Sequence, residues 1–310
     1  MGQDITATPA PTKTVAAPSA TPTEVVTEEP QSWTPRPLPR AYTQDDFQVL
    51  VGNVQRPNGM LWFEGNLYTA CNGDFTLYEI NAFTGQTRTL VYGIQNAHVL
   101  WAEPSGTSFD LWVPDFDTNR LMRIGQGRQA PRPVASNLNG PWGITKLNTT
   151  DFLVSNIRSN DVVRISQSGD VSLFLDGFRA PAGITIHDGF LYVVNNGSAR
   201  RAIERVALDS DGLPIGEPQP FVSGLQSASG IVVGADGYVY FSYSLGARGI
   251  VGRVAPSACE NGCSNDDVEI VVFTDLQAPL AGLTLSPDMR LFVHTIFRPE
   301  IYWLDIYPSG

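Results

Sequence analysis

The sequence predicts an all-β fold, a six-bladed β-propeller, on three observations. A set of four short apolar strands recurs roughly every 40 to 50 residues, the size of one propeller blade. Glycine and proline, 29 and 23 of 310 residues, punctuate the chain every few positions, so long helices are not expected. A strand of the fourth kind also stands alone ahead of the first repeat, while the last repeat ends at its third strand.

Each unit opens on a first strand: PNGMLWF, NAHVLWA, PWGITKL, PAGITIH, ASGIVVG and LAGLTLS. A glycine column, Gly59, Gly143, Gly183, Gly230 and Gly282, runs through these strands, with His98 taking its place in the second unit. First strands crowd the propeller axis, where a side chain would clash, so glycine is expected there. Second strands follow across tight turns such as Asp188-Gly189 and Asp236-Gly237: NLYTAC, DLWVPD, DFLVSN, FLYVVN, YVYFSY and RLFVHT. Their last residues, Cys71, Asp115, Asn156, Asn195, Tyr243 and Thr295, are expected at the same end of each blade as the glycine column. Third strands read LYEI, LMRI, VVRI, IERV, VGRV and IYWLDI, and fourth strands TLVYGI, PVASNL, LFLDGF, PFVSGL and VVFTDL. The lone strand FQVLVGNV, Phe47 to Val54, is expected to complete the last blade and so remove an open sheet edge.

Two segments are expected. Residues 1–43 are Thr/Pro-rich and have no aromatic residue before Trp33, so they read as a disordered stalk. Residues 44–310 form the propeller. The 31 acidic and 20 basic residues give a net charge of −11, which argues against a nucleic-acid partner. No stretch approaches the ~20 apolar residues of a membrane span. The chain begins in the linker with no signal peptide, which suggests a mature, secreted or lipid-anchored bacterial protein with its anchor upstream of the stalk. Cys259 and Cys263, in a polar loop, are expected to form a small disulfide in an oxidising compartment, and Cys71 to be a buried free thiol.

The pattern P-x-G-I, then LYV-x-(D/N), then (V/I)-x-R-(I/V), resembles the NHL-repeat and gluconolactonase-like (senescence-marker-protein-like) six-bladed propellers over residues of about 46 to 307. That resemblance implies a divalent cation, Ca²⁺ or another, over the central channel, held by a Glu, an Asn and an Asp just before the glycine column. This chain has Asn58, Ala97, Trp142, Ala182, Ser229 and Ala281 there, so only Asn58 matches. The Glu/His cluster of streptogramin-lyase-like propellers is absent. So are the cofactor-binding insertions of quinone-dependent sugar dehydrogenases, whose PWG the chain shares at Pro141-Trp142-Gly143.

The channel mouth is the expected ligand site. His98 and Asp115 are candidate catalytic residues, an imidazole oriented by a carboxylate. Asn58, Trp142, Asn156, Asn195 and Tyr243 are candidate ligand-binding residues, with Trp142 and Tyr243 facing one another across the mouth. Asn58, Asp115, Asn156 and Asn195 are candidate metal ligands; no cofactor is assigned. His294 is expected to pack between blades and His187 to lie in a hairpin at the far end. The sequence thus favours an extracytoplasmic, surface-anchored module binding a small molecule, carbohydrate or protein at the channel face. A metal-assisted or His98-dependent lactonase or esterase is the alternative, and the sequence leans against an enzyme.

Overall fold

The computed structural model describes Met1 and residues 37–125 and 129–308. The described residues form six sheets, each with four antiparallel blade strands, and one of them carries a fifth strand. Blade 1 comprises Pro57–Phe63, Asn66–Cys71, Thr76–Asn81 and Thr87–Tyr92. Blade 2 comprises Trp101–Ser105, Ser108–Asp115, Arg120–Gly125 and Arg132–Ala135, and blade 3 Pro141–Lys146, Asp151–Asn156, Asp161–Ser166 and Val171–Leu175. Blade 4 comprises Pro181–His187, Phe190–Asn195, Ile203–Leu208 and Pro214–Val222, and blade 5 Ile231–Val233, Val239–Leu245, Arg248–Val254 and Glu269–Gln277. Blade 6 holds Leu280–Leu285, Arg290–Thr295 and Ile301–Asp305, and Gln48–Val51 is its fourth strand, antiparallel to Ile301–Asp305. The N-terminal strand therefore closes the ring, as its lone position in the sequence implied.

The glycine column has the steric cause expected of it. A Cβ on Gly59 would lie 2.7 Å from the Ala97 carbonyl oxygen, on Gly143 2.4 Å from that of Ala182, and on Gly183 2.7 Å from that of Ser229. Each clash is with the backbone of the next blade, so first strands meet too closely for a side chain. Hydroxyls also stitch blade seams: Ser155 Oγ donates to the Ala182 carbonyl at 2.6 Å between blades 3 and 4, and Ser242 Oγ to that of Leu280 at 3.2 Å between blades 5 and 6.

The arginine of the third-strand motif anchors the far, hairpin end. Arg123 pairs with Asp110 at 2.6 Å, Arg164 with Asp151 at 2.5 Å and Arg253 with Asp236 at 3.0 Å, each carboxylate sitting near the start of the second strand. The first two pairs are half-exposed and contribute little. Arg253 and Asp236 are wholly buried, the phenolic oxygens of Tyr240 and Tyr307 bond to them, and Arg253 also donates to Glu269 at 2.8 Å. Tyr307 follows the last strand, so this network also fastens the end of the fold.

The segment read as a stalk divides in two. Residues 2–36 lie outside the described residues. Residues 37–43 run along the propeller: Tyr42–Thr43 pairs in parallel with Glu269–Gln277 as a fifth strand of blade 5. Tyr42 is buried and its hydroxyl donates to the Ile306 carbonyl at 2.7 Å. A buried phenol bonded across two blades places the start of the packed domain before residue 43. Cys259 and Cys263 are joined by a disulfide, and Cys71 is a buried free thiol whose ionisation burial pushes up to about 12.

Candidate functional site at the channel mouth

First strands enter and second strands leave at one end of the disc, so the entry loops and the loops after the second strands form its mouth. The closing column of the second strands binds these loops together. Asp115 accepts from the backbone N–H groups of Gln95 at 3.0 Å, Asn96 at 3.2 Å and Thr118 at 3.4 Å. Asn156 accepts from Asn139 N–H at 3.2 Å and donates to Asp161 at 2.9 Å. Asn195 accepts from Arg179 N–H at 2.7 Å and donates to the Arg201 carbonyl and to Glu204, both at 2.7 Å. One chemistry thus recurs in three adjacent blades, a buried side-chain oxygen holding the entry loop of its own blade.

His98 does not meet Asp115. A one-residue bulge in the first strands shifts the register, so Pro57 faces Cys71 while Gly59 faces Ala70, and Leu280 faces Thr295 while Gly282 faces His294. The closing residue therefore opposes the position two before the glycine column. In blade 2 that position is Asn96, and Asp115 binds there instead.

The His98 ring turns toward blade 3 and stacks on Trp142, centroids 3.2 Å apart and planes 5° apart. Phe116 stands edge-on to both, at 5.6 Å from His98 and 5.8 Å from Trp142. The guanidinium of Arg158 covers Phe116 at 4.2 Å. Burial pushes the His98 imidazole down to about 3, and nearby His294 adds to the effect. Neither ring nitrogen of His98 has a hydrogen-bond partner among the described residues.

His294 is fully buried and its imidazole is likewise pushed down to about 3 by burial. It shares its second-strand column with Ser155 and Ser242, and it fills the space that Gly282 leaves between blades 6 and 1. A Cβ on Gly282 would lie 2.2 Å from His294 Nε2 and 3.1 Å from Met60 Cβ.

Asn58 is buried; its amide donates to Asn96 Oδ1, and its own Oδ1 has no partner among the described residues. Tyr243 is not brought to Trp142. It is 6% exposed and packs in the core with Phe241 and Ile250. His187 lies at the far end, 3.2 Å from the Asp188 carboxylate. Phe116 and Asn96 were not singled out by sequence; each is brought to the site by its loop, which carries no repeat pattern.

The donor set does not fit the divalent cation that the resemblance implied. Ca²⁺ takes six to eight oxygen ligands. The oxygens of Asp115, Asn156 and Asn195 are committed to backbone N–H groups, which leaves Asn58 Oδ1 alone among the candidates. No group of three His, Cys, Asp or Glu side chains among the described residues could hold a metal.

No family model matches the sequence, and no curated protein matches it. Solved structures do match its fold. A gluconolactonase from Xanthomonas campestris is 16% identical with a TM-score of 0.61, covering 87% of this chain and 98% of the other. The calcium-binding protein regucalcin from Agrobacterium tumefaciens is 15% identical with a TM-score of 0.63, over 86% and 95%. Virginiamycin B lyase from Staphylococcus aureus is 16% identical with a TM-score of 0.55, over 83% and 98%. The chain is a six-bladed β-propeller of the fold that gluconolactonase-like and streptogramin-lyase structures share.

Proposed function

We propose that this chain is a binding propeller that takes a ligand or partner at its channel mouth, rather than a hydrolase. The observation that carries the reading is the state of His98, which is stacked on Trp142, desolvated and unpaired with any carboxylate. A general base near neutral pH needs a pKa near the operating pH, and an imidazole held near 3 is far from it. The partly exposed Trp142 and the Arg158–Phe116 pair offer aromatic and cationic contact surface at the same place. An extracytoplasmic, surface-anchored location belongs to this proposal. It rests on the Thr/Pro composition of the first 36 residues and on the Cys259–Cys263 bridge, since disulfides persist in oxidising compartments.

The fold is also that of gluconolactonases, so a lactone and ester panel is the test, run with and without Ca²⁺ on wild type and His98→Ala. The binding reading expects no turnover above the uncatalysed rate in either protein. Turnover that falls about 10²–10⁴-fold in His98→Ala, with melting unchanged, would establish the hydrolase instead.

A further inference from the structure

The basic side chains are distributed unevenly between the two ends of the disc. At the hairpin end most are neutralised, Arg88 by Glu79, Arg123 by Asp110, Lys146 by Glu103, Arg164 by Asp151, Arg253 by Asp236 and Arg290 by Asp305, while Arg132 and Arg205 make no ion pair among the described residues. At the mouth end, Arg56, Arg120, Arg158, Arg179, Arg200 and Arg298 are all at least partly exposed. None of the six makes an ion pair among the described residues. They stand on the entry loops or on the turns after the second strands of blades 1, 2, 3, 4 and 6. The carboxylates of this end keep their charge, but most are ion-paired or at least partly buried. Asp115 and Asp161 hold loop and side-chain amides, Asp74 accepts from Tyr78, and Glu204 and Asp275 pair with Arg201 and Arg248. Asp117, which accepts from the Asn96 amide, and Asp176 are exposed, and Glu300 is partly buried.

The same end exposes large apolar side chains in three consecutive blades. Leu245 of blade 5 is 55% exposed, Phe297 of blade 6 is 51%, and Phe75 and Tyr92 of blade 1 are 51% and 67%. Phe75 adopts a positive φ of 58°, a conformation rare for a bulky residue, with its side chain held out in solvent.

We propose that the mouth face is the docking surface for an acidic polypeptide segment, one carrying Asp or Glu beside apolar side chains. This rests on the reading of the mouth as the binding site and adds the chemistry of its partner. Charge complementarity argues for it: in a chain of net charge −11, the mouth end exposes six guanidinium groups outside any ion pair against two such carboxylates, Asp117 and Asp176. Arginine together with exposed Phe and Tyr is the composition of protein-binding hot spots. A polyanion without side chains would match the arginines but leave Leu245, Phe297 and Phe75 unused. Arg158, laid on Phe116, is oriented in advance and keeps its N–H fork for a carboxylate.

The test is fluorescence polarisation with a labelled twelve-residue peptide of four Glu-Glu-Phe repeats, at 20 and 150 mM salt. The comparison probes are a Lys-Lys-Phe peptide of equal length, single-stranded DNA and phosphatidylserine vesicles. Two variants with the same change in net charge are compared, Arg120→Gln/Arg158→Gln/Arg179→Gln at the mouth and Arg88→Gln/Arg123→Gln/Arg164→Gln at the hairpin end. Melting of each is checked, and the single Arg158→Gln serves if a triple variant fails to fold. The proposal expects salt-sensitive binding of the acidic peptide, weakened at least tenfold by the mouth variant and less than twofold by the hairpin-end variant. No binding at 20 mM salt, equal loss in both variants, or tighter binding of DNA or vesicles would overturn it. Binding of the basic peptide that Trp142→Ala weakens would overturn the acidic partner while leaving the mouth as the binding site.

Discussion

The imidazole of His98 lies flat on the indole of Trp142, 3.2 Å between centroids and 5° between planes. The two residues belong to neighbouring blades and are 44 positions apart in sequence. Their contact closes the seam between blades 2 and 3 at the mouth and turns the one candidate base of the site into a packing group.

Removing the polar atoms of this stack should not weaken the fold. A buried polar group without a partner costs about 1–3 kcal/mol, and both nitrogens of His98 are of that kind. His98→Phe keeps an aromatic ring and discards the nitrogens. Its melting temperature, read by calorimetry, is expected to equal or exceed that of wild type by a few degrees; a clear fall would show that His98 has polar partners in solution.

Acid should unfold the propeller through its histidines. Burial depresses the folded pKa values of His98 and His294 to about 3, against an ordinary imidazole value of 6.5. The unfolded state therefore binds more protons, and stability rises with pH across that window. Stability is complete above about pH 6.5 and falls toward pH 3, with a slope of at most ~1.4 kcal/mol per pH unit for each histidine. Urea midpoints measured from pH 7 to 4 should decline, and His98→Phe/His294→Phe should flatten the decline.

Gly282→Ala should be destabilising by about 1–3 kcal/mol, the usual range for overpacking, because its Cβ would meet His294 Nε2 at 2.2 Å. That clash is with a side chain, so His294→Ala should relieve most of it in a double-mutant cycle. Gly143→Ala meets the Ala182 carbonyl at 2.4 Å, a backbone atom, and no side-chain truncation should rescue it. Additive losses in the Gly282–His294 cycle would contradict the packing described.

Deleting residues 47–54 removes the strand Gln48–Val51 and leaves Ile301–Asp305 as an open edge. The truncated protein is expected to unfold or aggregate, since an exposed edge templates pairing with other chains. A monomer of unchanged melting temperature, by light scattering and calorimetry, would show that ring closure contributes nothing.

Much of the fold was legible because each blade repeats the same constraints. The glycine column reports close approach at the axis, the lone strand at Phe47 reports the closure, and the third-strand arginine recurs with a carboxylate near the start of the second strand. The site was less legible. The register bulge before Gly59 and Gly282 has no residue signature, and it moves Asp115 from His98 to Asn96. Trp142 and Phe116 meet His98 only because the ring brings blade 3 beside blade 2. Tyr243 shares a column with Asn156 and Asn195, yet its bulk and apolar ring draw it into the core. Tyr42–Thr43 is too short for an alternation signal, so its place on blade 5 leaves no mark in the sequence.

The most direct measurement is an NMR titration of the three histidine Cε1–H resonances, assigned by single His→Gln substitutions. The binding reading requires that His98 stay neutral, and its resonance is expected to hold constant from pH 8 to 5. A His98 resonance that titrates with a midpoint between about 6 and 7.5 would contradict the account and restore it as a base.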